Sequence, residues 1–241
     1  MIEDGERVLL VSQDREYYVR AGKGNLSTDR GVLSLNTLIG ASPGDCAVTH
    51  LGYEFTILIP RPTDFFVHAA RSGAPMLPRD IGLVIGLTGL NRTDEVLDAG
   101  TGSGVAATYF GGIARRVVTY ERKPEFATLA RNNIQAAKLE NVEVINGDVL
   151  EATGSYDVVH YDMTVEPAHV EHASHLLRPG GYLACYTPFL EQTFTAIDAA
   201  KGLFREVHTH ECMERELTRT SRGTRPSTRV CHSGYITIAR R

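Results

Sequence analysis

Cysteine is scarce in this chain. Its 241 residues include four, Cys46, Cys185, Cys212 and Cys231. They are widely spaced with no C-x-x-C pair, which excludes a disulfide framework and a zinc knuckle as organising devices. Long apolar runs are missing too: no stretch reaches membrane-spanning length. Met1 leads into Glu3 and Asp4 with neither a basic n-region nor an apolar h-region. A cytoplasmic location without a membrane partner is the expectation. Nor is there an excess of positive charge, since the net charge is −4. A uniformly basic nucleic-acid binder is thereby excluded.

The charge is uneven, however. Residues 214–241 carry seven arginines (215, 219, 222, 225, 229, 240 and 241) against Glu214 and Glu216, a net +5, and the rest of the chain sums to −9. The five arginines from Arg215 to Arg229 are interleaved with Thr, Ser, Gly and Pro, which reads as a mobile basic loop. Arginine forks suit phosphate oxygens, so this loop is a candidate polyanion footprint. His169, His172 and His175 recur every third residue. No cysteine or acid completes a metal site with them, so solvated helix histidines are expected and no metal.

What is present centres on Glu95-Val96-Leu97-Asp98-Ala99-Gly100-Thr101-Gly102-Ser103-Gly104. An apolar run ends in an acid and then in three glycines at alternate positions: a buried parallel strand, a turn of bare amides and the start of a helix. The dinucleotide fingerprint wants G-x-G-x-x-G/A, and Val105 occupies its third slot. The alternating form suits a ligand without a pyrophosphate, whose amino-acid end lies over the turn. S-adenosylmethionine is such a ligand. Glu121, Asp148 and Asp162 each close a later strand, with Glu121 suited to the ribose hydroxyls and Asp148 to the adenine amine. Together with Asp98 they make four acids in register, expected to converge on one crevice.

Along the chain, residues 1–60 read as a small β domain with hairpins at 7–11/16–19 and 47–49/53–59, closed by Pro60-Arg61-Pro62. Residues 61–241 read as the second domain. Thr63 and Asp64 are candidate caps for a helix beginning at Phe65, 72–80 is a proline-pinned loop, and Ile81 to Leu90 is a helix. Helices at 167–177 and 191–201 alternate with strands at 116–121, 142–146, 156–161 and 182–186, with Gly180-Gly181 as the stop of the first helix. Strands 204–210 and 234–239 are expected to be antiparallel neighbours. The fold class is therefore α/β: a doubly wound, Rossmann-like methyltransferase sheet with an antiparallel C-terminal edge, plus the small N-terminal β domain.

At Ser27-Thr28-Asp29-Arg30-Gly31, Pro78-Arg79-Asp80, the glycine stretch, Tyr120-Glu121, Ala184-Cys185-Tyr186-Thr187-Pro188, Arg225-Pro226 and His232-Ser233-Gly234-Tyr235, the chain resembles the tRNA adenine-N1 methyltransferases that act in the T loop, especially the archaeal ones. The resemblance implies a homotetramer that uses S-adenosylmethionine to methylate N1 of adenine 58, often adenine 57 too. It implies tRNA rather than DNA as partner, with the N-terminal β domain helping to hold it. It sets the cofactor site on Gly100, Thr101, Gly102, Ser103, Gly104, Val105, Glu121, Asp148 and Asp162, with Asp162 as the catalytic acid. Leu77 stands where the family often has Tyr or His beside the base, and the segment from Asp162 to Pro167 is one residue longer than the family's. Tyr161 and Tyr186 are candidates for stacking or core packing, His232 for the base or a buried hydrogen-bonded role, and Asp80 for facing the RNA or, preferred, capping the helix that starts at Ile81. Two other readings remain: a methyltransferase for a small molecule or protein, and a non-catalytic RNA-binding subunit. The second would tolerate loss of the glycines and strand-end acids, and all of them are present.

Overall fold

A computed structural model describes residues 1–221, 223–226 and 232–241. Arg222, Arg229 and Cys231, named above, lie outside the described residues. The chain divides into two compact units, Met1–Ala69 with Gln135–Lys138, and Ala70–Ile134 with Leu139–Arg241.

In the first unit, β1 (Arg7–Val11), β2 (Glu16–Arg20), β5 (Cys46–Val48) and β6 (Glu54–Leu58) form an antiparallel sheet in the order β2-β1-β6-β5. A separate hairpin joins β3 (Asn25–Thr28) to β4 (Gly31–Ser34). Alternation drives Val8 and Leu10 of β1 and Phe55 and Ile57 of β6 into one core with Leu33 and Leu38. Helix α1 (Pro62–His68) starts earlier than expected. Pro62 sits in its first turn, and Asp64 reaches back to the Arg61 N–H at 2.7 Å.

The second unit is built on a seven-stranded sheet. Its members are β7 (Glu95–Ala99), β8 (Arg116–Glu121), β9 (Val142–Asn146), β10 (Tyr156–Tyr161), β11 (Leu177–Thr187), β12 (Glu206–Glu211) and β15 (Tyr235–Arg240). The order is β12-β15-β11-β10-β7-β8-β9. Strands β11, β10, β7, β8 and β9 pair in parallel. The reversed strand is β15, which lies antiparallel to both β11 and β12, one place in from the sheet's end. The chain's first strand here, β7, lies inside the sheet with β10 on one side and β8 on the other. The order reverses at that point, where ligands of doubly wound sheets bind.

Helices α5 (Pro167–Leu176) and α6 (Leu190–Ala200) cover one face, packing Val170, Ala173, Ala196 and Ala200 on Leu97, Val159, Tyr161 and Leu183. Helix α2 (Pro78–Thr88) packs on β11 and β15, α3 (Val105–Gly111) on β8 and β9, and α4 (Pro124–Ala136) follows β8. Phe110 of α3 meets the His160 ring edge-on at 5.1 Å.

Several local expectations are corrected. Helix α2 begins at Pro78 rather than Ile81, because proline's fixed φ and missing N–H suit the first helical position. It ends at Thr88, with Gly89 left-handed at φ 66°. The strand after α5 starts at Leu177 and runs through Gly180-Gly181, with a register shift against β10 between Tyr156 and Val158. The arginine-rich stretch contains an exposed hairpin, β13 (Leu217–Thr220) paired with β14 (Gly223–Pro226), which presents Arg219 and Arg225. Among the described residues, no helix is long and apolar enough to cross a membrane.

Phe110 is fully buried, so Phe110→Ala is expected to cost the second unit ~3–5 kcal/mol. Urea unfolding followed by a probe in that unit checks this; a cost below about 1 kcal/mol would contradict the packing described.

Candidate active site

Gly100, Gly102 and Gly104 all adopt left-handed φ, at 85°, 55° and 83°. L-residues with a Cβ rarely tolerate that region, which is why the turn needs glycine at alternate positions. At Gly100 there is a second reason. A Cβ there would come within 2.7 Å of the Asp162 carbonyl carbon. The Asp162 N–H in turn donates to the Ala99 carbonyl at 2.9 Å, and the Gly100 N–H to Tyr120 at 3.1 Å. The turn after β7 is thus seated on the backbone that follows β10. Gly104 abuts Ala130 and Ile134 of α4. From α4, Asn133 donates to the carbonyls of Ala70 and Ser103 at 3.0 and 2.8 Å, tying two walls of the site together.

Two cavities meet at this turn. One, of about 460 Å³, lies between the 72–76 segment and Gly100–Ser103, and is lined also by Glu121, Lys123, Phe126, Asp162 and Met163. The other, of about 230 Å³, lies by the ends of β8 and β9 against Tyr120, Arg122, Gly147 and Val149. Gly100, Glu121, Lys123, Met163 and Thr164 line both. Glu121 therefore stands where a ribose would join an amino-acid end in the larger cavity to a base in the smaller one. Its carboxylate accepts the N–H groups of Gly102 at 2.9 Å and Lys123 at 3.0 Å. The hydroxyls of Ser72 and Ser103 are buried with no hydrogen-bond partner among the described residues. Such orphaned groups, beside bare amides and an acid, fit the polar amino-acid end and the ribose of S-adenosylmethionine.

The four strand-end acids do not all converge. Glu121 and Asp162 line the larger cavity. Asp148 caps the short turn after β9, accepting the Leu150 N–H at 2.9 Å, and pairs with Arg122 at 2.8 Å. Asp98 faces into the sheet, where His160 meets it at 2.6 Å and the Thr119 hydroxyl at 2.5 Å. It precedes the turn by one residue too many to reach the opening. Thr101 is buried against Thr119, and Val105 begins α3 at the cavity wall.

Asp162 is half-buried, and its carboxylate accepts no hydrogen bond among the described residues. Burial pushes it up to about 6, the His160 charge pulling down and Asp98 pushing further up. A desolvated acid without partners, at the lip of a cavity, is poised for a ligand.

Two motifs far apart in sequence meet beside it. Ser233 donates to Asp80 at 2.7 Å and accepts from Arg79 at 3.1 Å. Asp80 is fully buried, and burial raises its carboxyl. It is therefore a brace between α2 and the C-terminal strand, and the expected helix cap is corrected: Leu77 holds the N-cap position. The Tyr186 ring lies against Gly234, where a Cβ would come within 2.6 Å. Tyr161 is core, fully buried and donating to the His169 carbonyl at 3.3 Å. His232 is exposed, and Glu211 at 2.7 Å raises its pKa. Of the three helix histidines expected in solvent, His169 is instead buried and accepts the Glu166 N–H at 3.0 Å. His172 contacts the Ala152 carbonyl at 3.1 Å, and His175 is exposed. Ser72, Asn133 and His160 carry no local signal of a role, because their positions matter only beside other elements.

This fold and this site define a methyltransferase that depends on S-adenosylmethionine. The methyltransferase domain family matches residues 90–224. A tRNA (adenine(57)-N(1)/adenine(58)-N(1))-methyltransferase TrmI of Methanocaldococcus jannaschii is 28% identical over 97% of this chain and 94% of its own. A tRNA (adenine(58)-N(1))-methyltransferase TrmI of Thermus thermophilus is 31% identical, covering 82% of this chain and 81% of its own. The solved S-adenosylmethionine-dependent O-methyltransferase of Thermotoga maritima superposes with a TM-score of 0.86 at 26% identity, covering 100% of this chain and 94% of that one. The chain belongs to the TrmI family of tRNA adenine-N1 methyltransferases.

The raised Asp162 carboxyl has a consequence for stability. A carboxyl whose folded pKa exceeds its unfolded value stabilises the fold below the unfolded pKa of 3.8 and loses that contribution as pH rises through about 6. Asp162→Asn, which cannot ionise, is expected to unfold at a higher temperature than the wild type at pH 8, with the gap closing towards pH 4.5. Thermal unfolding across that range reads it; an equal gap at every pH would show that Asp162 is not desolvated.

Proposed function

We propose that this protein methylates N1 of adenine in the T loop of tRNA, at position 58 and, as in the archaeal relative, 57. The observation that carries this reading is Asp162, a desolvated and unpartnered carboxylate at the lip of the cofactor cavity. The glycine turn, Thr101, Ser103, Val105 and Glu121 would hold S-adenosylmethionine there, with Asp148 between Gly147 and Val149, which line the smaller cavity; the cofactor would supply an electrophilic methyl group. N1 of adenine is unprotonated at neutral pH and needs no base before it attacks. As the bond to N1 forms, positive charge spreads over the ring and acidifies the exocyclic amine. Asp162 accepts a hydrogen bond from that amine, orients the base and stabilises the developing charge, then takes the proton.

N1 lies on the pairing edge, so the nucleotide must turn out of the loop. Phosphate contacts offset part of that unstacking cost, and Arg219 and Arg225 on the exposed hairpin are available for them. The β domain is assigned a share in holding the RNA, in keeping with the family resemblance. The exposed side chains of Phe189, Leu190 and Phe194 suit burial in an assembly, in keeping with a homotetramer.

Labelled S-adenosylmethionine and a T-loop transcript, followed by nucleoside analysis, test the reading. 1-Methyladenosine is expected from the native protein. Asp162→Ala is expected to lose at least about 100-fold in rate, the usual scale for such a group. Abundant product from that variant would remove Asp162 from the chemistry. Glu121→Ala is expected to weaken cofactor binding by about tenfold or more in calorimetry, having lost a charge-assisted contact; unchanged affinity would contradict its ribose role. Transcript binding should weaken steeply as salt rises.

A further inference from the structure

The amides from Gly100 to Gly104 are nearly all spent inside the turn. Those of Gly100 and Thr101 donate to the Tyr120 carbonyl at 3.1 and 3.4 Å, and that of Gly104 to Thr101 at 2.8 Å. The Gly102 N–H goes to the Glu121 carboxylate at 2.9 Å. Ser103 supplies the remaining N–H, which has no acceptor among the described residues. The side chains divide in the same way. The Thr101 hydroxyl is bonded to Thr119. Ser103 is 4% exposed, and its hydroxyl has no partner among the described residues. From the facing segment, the Ser72 hydroxyl is likewise buried and without a partner there. It lies over the turn, 3.6 Å from the point that a Cβ on Gly102 would occupy. Both serines line the larger cavity.

Ser72 is held in place by its neighbours, not by its own side chain. Asn133 of α4 donates from one amide nitrogen to the carbonyls of Ala70 at 3.0 Å and Ser103 at 2.8 Å, which sets the two serine-bearing segments against each other. Met76 is 2% exposed and anchors the far end of the 72–76 segment in the same cavity wall. The Ser72 hydroxyl is therefore carried to the cavity with its hydrogen-bonding capacity unused.

We propose that Ser72 is a specificity-determining residue for the cofactor: with Ser103 it forms a seat for the carboxylate of the cofactor's amino-acid end. The Ser72 hydroxyl, the Ser103 hydroxyl and the Ser103 N–H are its donors. The inference rests on the reading that puts the amino-acid end over the glycine turn, and deepens it by assigning the carboxylate a partner from outside that turn. A hydroxyl buried without a partner costs stability, and a ligand that supplies the partner recovers it. Hydroxyls serve donors and acceptors alike, but an N–H only donates, so the group that satisfies all three is an acceptor. A carboxylate is such a group. Glu121 and Asp162 line the same cavity. A further negative charge buried beside them needs donors of its own.

Calorimetry on the full chain compares S-adenosylmethionine with its decarboxylated form, which keeps the ribose, the sulfonium and the amine and lacks only the carboxylate. Ser72→Ala is expected to weaken S-adenosylmethionine by about tenfold, the scale of one hydrogen bond to a charged group, and the decarboxylated ligand by less than about twofold. Ser103→Ala is expected to show the same selectivity. Retained affinity for the decarboxylated ligand also reports that each variant folds. A Ser72→Ala chain that binds both ligands as the native chain does, or loses both alike, overturns the inference. So does a selective loss confined to Ser103→Ala. Glu121→Ala checks the underlying reading and is expected to weaken both ligands, since both carry the ribose. If that variant binds both unchanged, the ribose placement falls, while a carboxylate-selective loss in Ser72→Ala still stands.

Discussion

The turn that follows β7 rests directly on the backbone of Asp162, and the rest of the site is built on that contact. Gly100 allows it, because any side chain there would collide with the Asp162 carbonyl group. The Asp162 N–H closes the arrangement by donating to Ala99. The surface proposed to receive the methyl donor and the acid proposed to face the acceptor are therefore parts of one junction between adjacent parallel strands. Preorganisation of this kind lets remote binding energy go into alignment rather than into ordering the site during reaction.

The same junction sets the electrostatics. Lifting Asp162 away from solvent costs stability at neutral pH, since the carboxyl is pushed up to about 6. A carboxylate so placed interacts strongly with charge that develops on a bound base, because water does not screen it. Around it the structure gives other acids partners: Ser233 on one oxygen of Asp80, Arg122 for Asp148, and His160 and Thr119 for Asp98. Asp162 is the strand-end acid left without a hydrogen-bond partner among the described residues.

Much of this was legible in the sequence, for reasons that can be stated. The strands at 95–99, 116–121 and 156–161 are short apolar runs bounded by turns or acids, and burial on both faces of a parallel sheet demands that composition. The glycine turn is legible because positive φ leaves few residue choices. Partnership across the sheet was not legible. That Asp98 faces His160 depends on β7 and β10 being adjacent, which no local pattern encodes. That Asp80 meets Ser233, more than 150 positions away, depends on β15 inserting between β11 and β12. The start of α2 is ambiguous in the sequence for a local reason: a proline pins a loop as readily as it begins a helix, and Pro78 begins one.

The family relationship assigns the reaction, and Asp162 is the acid proposed for it. The most direct test of that assignment is a crystal structure with S-adenosylhomocysteine and a T-loop RNA bound together. The account expects an everted adenine whose exocyclic nitrogen lies within hydrogen-bond distance, about 3 Å, of the Asp162 carboxylate. It also expects N1 to face the sulfur and Glu121 to contact the ribose. An adenine bound in the site with Asp162 turned away from its amine, or a cofactor seated elsewhere than over Gly100 to Ser103, would contradict it.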